Sequence, residues 1–289
     1  MSWIGEFEEE LRRRGVRAAT RRRLLDEFSD HIACEQEVRI ELTRLGAARE
    51  IAGQYAEELA TDETRHAALG GFAALALAAI ALLVSQAGLG RIGYPGFNHG
   101  TTTPLAVIAI LAMVVGSQLA LVAGTLAAWR ALRRRREPTL PSAEIALIQR
   151  RTRLGIAAGL TTTAGILLYV VNFVNVLPAW WLALSGALAA LASGALVAAW
   201  RTNARSAATV SLAPGPAGDV FDDLPPLRAL RAHPLRLVTL ATLTVGAAMT
   251  VVVWHAEHSL IEGLERGGFE ALALAACFAL FGRAIGARR

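Results

Sequence analysis

From Ala67 onward the chain is dominated by six apolar stretches, whereas the 66 residues before them are crowded with charge. A run of about 20 apolar residues, rising about 1.5 Å each as an α-helix, crosses a hydrocarbon core of about 30 Å. The expected fold is therefore all-α. It is an integral membrane helical bundle of about six transmembrane helices, residues 66–289, behind a small N-terminal cytoplasmic three-helix domain, residues 1–65. The candidate spans are Ala67–Gly90, Leu105–Ala128, Leu154–Leu177, Ala179–Ala199, Leu237–Trp254 and a weaker one within residues 267–286. The last is charge-free only over Ala271–Gly282, a length at which a re-entrant or interfacial helix is a rival. A span is favoured because Arg283 can snorkel to one surface while Glu270 sits at the other.

Charge orients the bundle. The chain has 29 basic side chains and no lysine, an arginine bias expected of a GC-rich bacterial genome. Its net charge of +5 does not indicate nucleic-acid binding, because it is divided: residues 1–66 hold 15 acidic and 11 basic groups, the remainder 9 and 18. Arg130, Arg133–Arg136, Arg150, Arg151 and Arg153 lie between spans two and three. Arg201, Arg205, Arg228, Arg231 and Arg236 lie between spans four and five, and Arg283, Arg288 and Arg289 follow span six. Only Arg91 and Arg266 fall on the other side. Since cytoplasmic loops retain arginine during insertion, the N-terminal domain and both termini are expected in the cytoplasm of a bacterial inner membrane. Residues 202–234, with Pro214, Gly215, Pro216, Pro225 and Pro226, read as a cytoplasmic linker able to dock a partner. The start carries acidic residues among its apolar ones and no apolar core, so no cleavable signal peptide is read there and span one serves as the insertion signal.

The spans form three hairpins of similar pattern, two of which end alike, in Ala128-Trp129-Arg130 and Ala199-Trp200-Arg201. Gly155 with Gly159, Gly186 with Ala190, and Gly116 beside Ser117 are small-residue notches suited to close helix packing.

Within the N-terminal segment, Trp3, Ile4, Phe7 and Leu11 recur at helical spacing before Gly15. A second helix is expected after Thr20 as N-cap, carrying Leu24, Leu25, Phe28 and Ile32 and continuing through Val38 and Leu42 to Leu45. A third follows Gly46 with Ile51, Ala52, Tyr55 and Leu59 on one face, disturbed by Gly53. Because no proline separates Tyr55 from Ala67, it is expected to run straight into span one as a stiff link. Arg14-Gly15-Val16, Leu24-Leu25-Asp26-Glu27-Phe28-Ser29-Asp30-His31-Ile32, and Leu45-Gly46 before Glu50-Ile51-Ala52 together resemble the HAAS-type signalling domain, a relative of the permease prefix domain. Two departures stand out: Ala47-Ala48 replaces the family's Asp-Pro, and the interval from His31 to Leu45 is about one helical turn short. The resemblance implies a signalling or regulatory role. The implied partner is a protein on the cytoplasmic face, a PadR-like transcription regulator or a transporter subunit. Asp30, His31, Glu50 and Tyr55 are the candidate interaction surface.

No catalytic motif emerges, so the chain is read as non-enzymatic and without cofactor. His31 and Cys34 lack the further ligands of a zinc site, and Cys34 with Cys277 form no disulfide framework. His255, Glu257, His258, Glu262 and Glu265, with His99, could hold a divalent metal, but a solvated loop after span five is the favoured reading and no metal is assigned. Ser193-Gly194 invites comparison with rhomboid-type intramembrane proteases, yet Leu191 replaces the expected glycine and no later span supplies a histidine base. Spans one to five carry no ionisable group at mid-depth, which weighs against ion-coupled transport. Thr161–Thr163, Asn172 and Asn175 are expected to bond neighbouring helices. The reading is a membrane sensor or regulatory accessory; a small permease or transporter subunit is the alternative, and homo-oligomerisation stays open.

Overall fold

The computed structural model describes residues 2–34, 46–89, 103–175, 177–207 and 233–285, and among these every regular element is an α-helix. α1 (Trp3–Arg13) starts where Ser2 Oγ accepts a hydrogen bond from the Gly5 amide. It ends at Gly15, whose φ of +76° suits glycine. α2 (Ala18–Cys34) begins earlier than the expected Thr20 cap, because the Arg21 amide already reaches the Arg17 carbonyl at 2.8 Å. Thr20 thus lies inside its first turn. The expected continuation through Val38 and Leu42 to Leu45 lies outside the described residues.

After Gly46, at φ +84°, α3 (Ala48–Leu89) runs 42 residues without a break, about 63 Å long. The uninterrupted passage from Tyr55 to Ala67 is as the sequence suggested. Gly53 is no weak point: a Cβ there would lie 3.2 Å from the Arg14 guanidinium, so glycine lets the end of α1 pack against α3. Around the first half of α3 gather Phe7, Leu11, Val16, Leu24, Ala48 and Ala52. Trp3 stacks on Phe7 with centroids 5.2 Å apart, and Phe28 tilts against Phe7 at 4.9 Å.

The remaining helices are α4 (Pro104–Arg133), α5 (Ser142–Asn172), α6 (Ala179–Ala207), α7 (Pro234–Glu257) and α8 (Leu260–Ile285). Five helices, α3 to α7, are long and apolar enough to cross a membrane, consistent with a multi-pass membrane protein. α8 is the exception, with Glu262, Glu265, Arg266 and Glu270 in its first three turns.

α4 and α5 run antiparallel at close range. A Cβ on Gly116 would lie 2.6 Å from Thr162 Oγ1, one on Gly155 3.1 Å from the Gly124 amide nitrogen, and one on Gly165 2.8 Å from the Ala109 carbonyl. Gly159 accommodates Leu75 of α3 and Leu196 of α6 in the same way, so the Gly155/Gly159 notch sits where α3 to α6 meet. The Gly186/Ala190 pair makes no such approach: the nearest atom to a Cβ on Gly186 is 4.0 Å away and Ala190 is exposed, because that face of α6 points outward. One core cluster joins Leu75, Leu119, Leu126, Ile156, Leu196 and Cys277 from five helices; another gathers Met113, Ile166, Tyr169 and Trp181.

α7 and α8 form a tight hairpin, with Gly263 against the Thr250 carbonyl and Gly246 against Ala271. The turn is His258, at φ 54°, and Ser259. His255 and Glu257 therefore end α7 while Glu262 and Glu265 open α8, so the loop expected to hold these residues is replaced by two helix ends. α8 packs on α4 and α5, whereas α7 is largely exposed away from its contact with α8. The linker also begins later than expected, since residues 202–207 continue α6; residues 208–232 lie outside the described set.

Candidate functional site

The four residues expected to form a contact surface differ in exposure. Asp30 and His31 on the last turns of α2 and Glu50 on the first turn of α3 are exposed. Tyr55 is half-buried instead, edge-on to Phe28 at 5.7 Å and to Phe7 at 6.4 Å. Its spacing on the apolar face with Ile51 and Leu59 sends the ring into the aromatic cluster.

Polar contacts concentrate where α3 passes the α4–α5 connection. Arg130, 2% exposed, holds Glu144, 6% exposed, by two hydrogen bonds: Nε to Oε2 at 2.5 Å and Nη2 to Oε1 at 2.7 Å. That bidentate geometry matches guanidinium to carboxylate, and at this burial removing either partner leaves a desolvated charge without its two strongest bonds. Arg134 approaches the same carboxylate at 3.8 Å. α3 is fastened to this connection by backbone and side chain alike. Arg65 Nη2 donates to the carbonyls of Arg134 at 2.6 Å and Glu137 at 2.5 Å, and Thr61 Oγ1 accepts from the Leu140 amide at 2.9 Å. One turn on, Gln149 Nε2 donates to Thr64 Oγ1 at 3.1 Å, and the Gln149 carbonyl accepts from Asn203 Nδ2 at 3.4 Å. These bonds link α6, α5 and α3 in series. Arg151 is fully buried beside them in sequence.

Sequence patterning missed this junction because its residues read as loop charge or helix filler. Two signals were present: Glu144 is one of few acidic residues in an arginine-rich connection, and Thr61 and Thr64 share a helix face with Ala60 and Ala68. Arg130 is more than a charge for orienting the bundle, since it is structural on burial alone. Glu270 corrects the sequence reading in a second way. It is 8% exposed and accepts a 2.8 Å hydrogen bond from Gln118 Nε2. Gln118 is the fifteenth of the 30 residues of α4, within its charge-free stretch, so Glu270 packs at mid-helix level and not at a surface.

The remaining candidates resolve locally. Thr161 and Thr162 bond carbonyls of their own helix, Ala157 at 3.1 Å and Ala158 at 3.0 Å, so they do not reach across as expected. Asn172 does, accepting from Thr103 at 2.7 Å. Ser193 Oγ lies 2.9 Å from Thr163 Oγ1 and 2.8 Å from the Ala189 carbonyl, a packing role between α6 and α5. Among the described residues no three His, Cys, Asp or Glu side chains converge as metal ligands; His99 and the Cys34 side chain lie outside them. The arrangement ties α3, α5 and α6 together and buries two carboxylates, Glu144 and Glu270. No family model matches the chain, and neither a curated protein nor a solved structure matches it.

Proposed function

We propose that this chain is a non-enzymatic bacterial inner-membrane sensor or regulatory accessory, with six spans and a cytoplasmic three-helix head of the HAAS type that binds a protein partner. α8 serves as the sixth span, and both termini are cytoplasmic on the arginine distribution. The supporting observation is α3: one unbroken helix carries Ala48 and Ala52 of the N-terminal aromatic cluster at one end and Leu75 and Ala78 of the bundle core at the other. A rotation or shift of the bundle would then reach the head without a hinge to absorb it. The chain of bonds from Asn203 through Gln149 to Thr64 gives α6 and α5 purchase on that helix at its midpoint. The partner suggested by the resemblance is a PadR-like winged-helix regulator, and the exposed Asp30, His31 and Glu50 are the residues proposed to contact it.

The intact protein purified from native membrane in mild detergent is expected to retain such a regulator and to lose it when residues 1–65 are deleted. Two glycines inserted after Thr64 should uncouple bundle from head while leaving the regulator bound. Equal signalling with and without the insertion would refute transmission through α3.

A small permease or transporter subunit is the second reading. Glu270 favours it, because an ionisable side chain inside a bundle is a common mark of an ion or substrate route. Substrate-dependent flux in proteoliposomes, abolished by Glu270→Leu, would replace the sensor reading.

A further inference from the structure

Between α3 and α6, next to the hydrogen-bonded junction, lies a groove of about 710 Å³ whose two ends differ in chemistry. Arg17, Asp62, Glu63 and His66 surround one end. Further along, Gly70, Ala73 and Leu77 of α3 face Ala195 and Ala198 of α6. We propose that this groove holds one phospholipid with an ammonium-bearing headgroup, its headgroup at the charged end and an acyl chain along the apolar walls.

Dimensions, polarity and charge support that occupant together. From Ala67, where α3 turns from charged to apolar, to Leu77 the helix rises about 15 Å, which is half of a hydrocarbon core of about 30 Å and so the depth of one leaflet. The apolar part offers water too few polar partners to settle there, and an acyl chain fills it at no polar cost. Room exists for it: a Cβ on Gly70 would meet nothing within 4 Å. At the mouth one arginine faces two carboxylates. Arg17 Nη2 is 3.3 Å from Glu63 Oε1. Asp62 lies in reach of His66 Nδ1 at 3.4 Å and stays 67% exposed. The acidic excess suits an ammonium, and Arg17 and His66 suit the adjoining phosphate. Arg17 precedes α2 whereas Ala198 belongs to α6, so the lipid touches the N-terminal cluster and the bundle at once. Occupancy is independent of the signalling reading, because it is measured with no partner present.

The test uses the full chain in nanodiscs of equimolar phosphatidylethanolamine and phosphatidylglycerol, followed by mild-detergent release and native mass spectrometry. One phosphatidylethanolamine per chain is expected, retained several-fold over the anionic lipid. Gly70→Leu, which enters open space and keeps the helix, should remove it, as should Ala198→Leu from the opposite wall. Asp62→Asn with Glu63→Gln should shift the preference toward phosphatidylglycerol. No retained lipid, a preference for phosphatidylglycerol in the unaltered chain, or retention unchanged in both groove-filling variants would overturn the proposal.

Discussion

Ala128-Trp129-Arg130 and Ala199-Trp200-Arg201 are the same three residues at the ends of two helices, and they meet opposite fates. The tryptophans behave alike, 50% and 41% exposed, as expected of amphipathic rings at a membrane boundary. The arginines do not: Arg130 is buried against Glu144, whereas Arg201 is exposed. The connection after α4 is short, residues 134–141, and returns directly as α5 with Glu144 in its first turn. α6 instead continues past Arg201 to Ala207 with no acidic residue in those last turns. An identical local sequence thus becomes a structural ion pair or a solvated charge according to what the next helix brings back.

The sharpest way to break this contrast is Glu144→Ala. It leaves Arg130 buried without its carboxylate, and breaking a buried pair from one side costs about 3–5 kcal/mol. Unfolding of the purified protein by SDS in mixed micelles, followed by tryptophan fluorescence, should show that loss. A change no larger than that of Arg201→Ala would mean that Arg130 is solvated in the membrane-bound protein and that the two ends are equivalent after all. Replacing both partners, Arg130→Met with Glu144→Leu, should restore most of the stability, since an apolar pair of similar volume avoids the desolvation of two charges.

Gln118→Leu extends the comparison to the other buried carboxylate. Glu270 accepts from Gln118 at 2.8 Å, and a buried acceptor deprived of its donor costs about 1–3 kcal/mol. The effect should be smaller than that of Glu144→Ala, because a neutral amide donor and not a charged partner is lost. It should also be specific to the α7–α8 hairpin. Cys277, 2% exposed and 3.6 Å from the Val115 carbonyl of α4, should alkylate faster with a membrane-permeant maleimide in a Cys34→Ala background. Unchanged alkylation would show that the hairpin stays docked without this bond.

What could be read from the sequence, and what could not, follows the same division. Apolar runs declare helices because length and hydropathy act locally, so the spans behind α3 to α7 and the unbroken passage from Tyr55 to Ala67 were visible. Gly155 and Gly159 were visible as a notch, yet not their partners, Gly124 and Leu75, which only the fold brings near. Arg130 looked like a topology signal because burial depends on Glu144 across a turn, fourteen residues on. Glu270 looked like a boundary charge because hydropathy cannot see that Gln118 meets it from a helix about 150 residues earlier. Tyr55 shares the apolar spacing of Ile51 and Leu59, but the aromatic partners that half-bury its ring, Phe7 and Phe28, come from other helices that only the fold brings near.

Gln149→Leu should fall below Glu144→Ala and Gln118→Leu, because it removes one neutral hydrogen bond, to Thr64 Oγ1 at 3.1 Å, worth about 1 kcal/mol net. The Gln149 carbonyl remains to accept from Asn203, so only the link to α3 is cut. Arg201→Ala should fall lower still, within about 0.5 kcal/mol, as an exposed substitution away from any packed feature. The two are best read side by side for transmission as well as stability. If α3 is driven from the bundle through Gln149, its loss should weaken signalling at nearly full stability, whereas Arg201→Ala should leave both untouched. Equal signalling in the two variants would place the drive in the apolar packing of Leu75 against Gly155 and Gly159, where Gly159→Leu would be the decisive substitution.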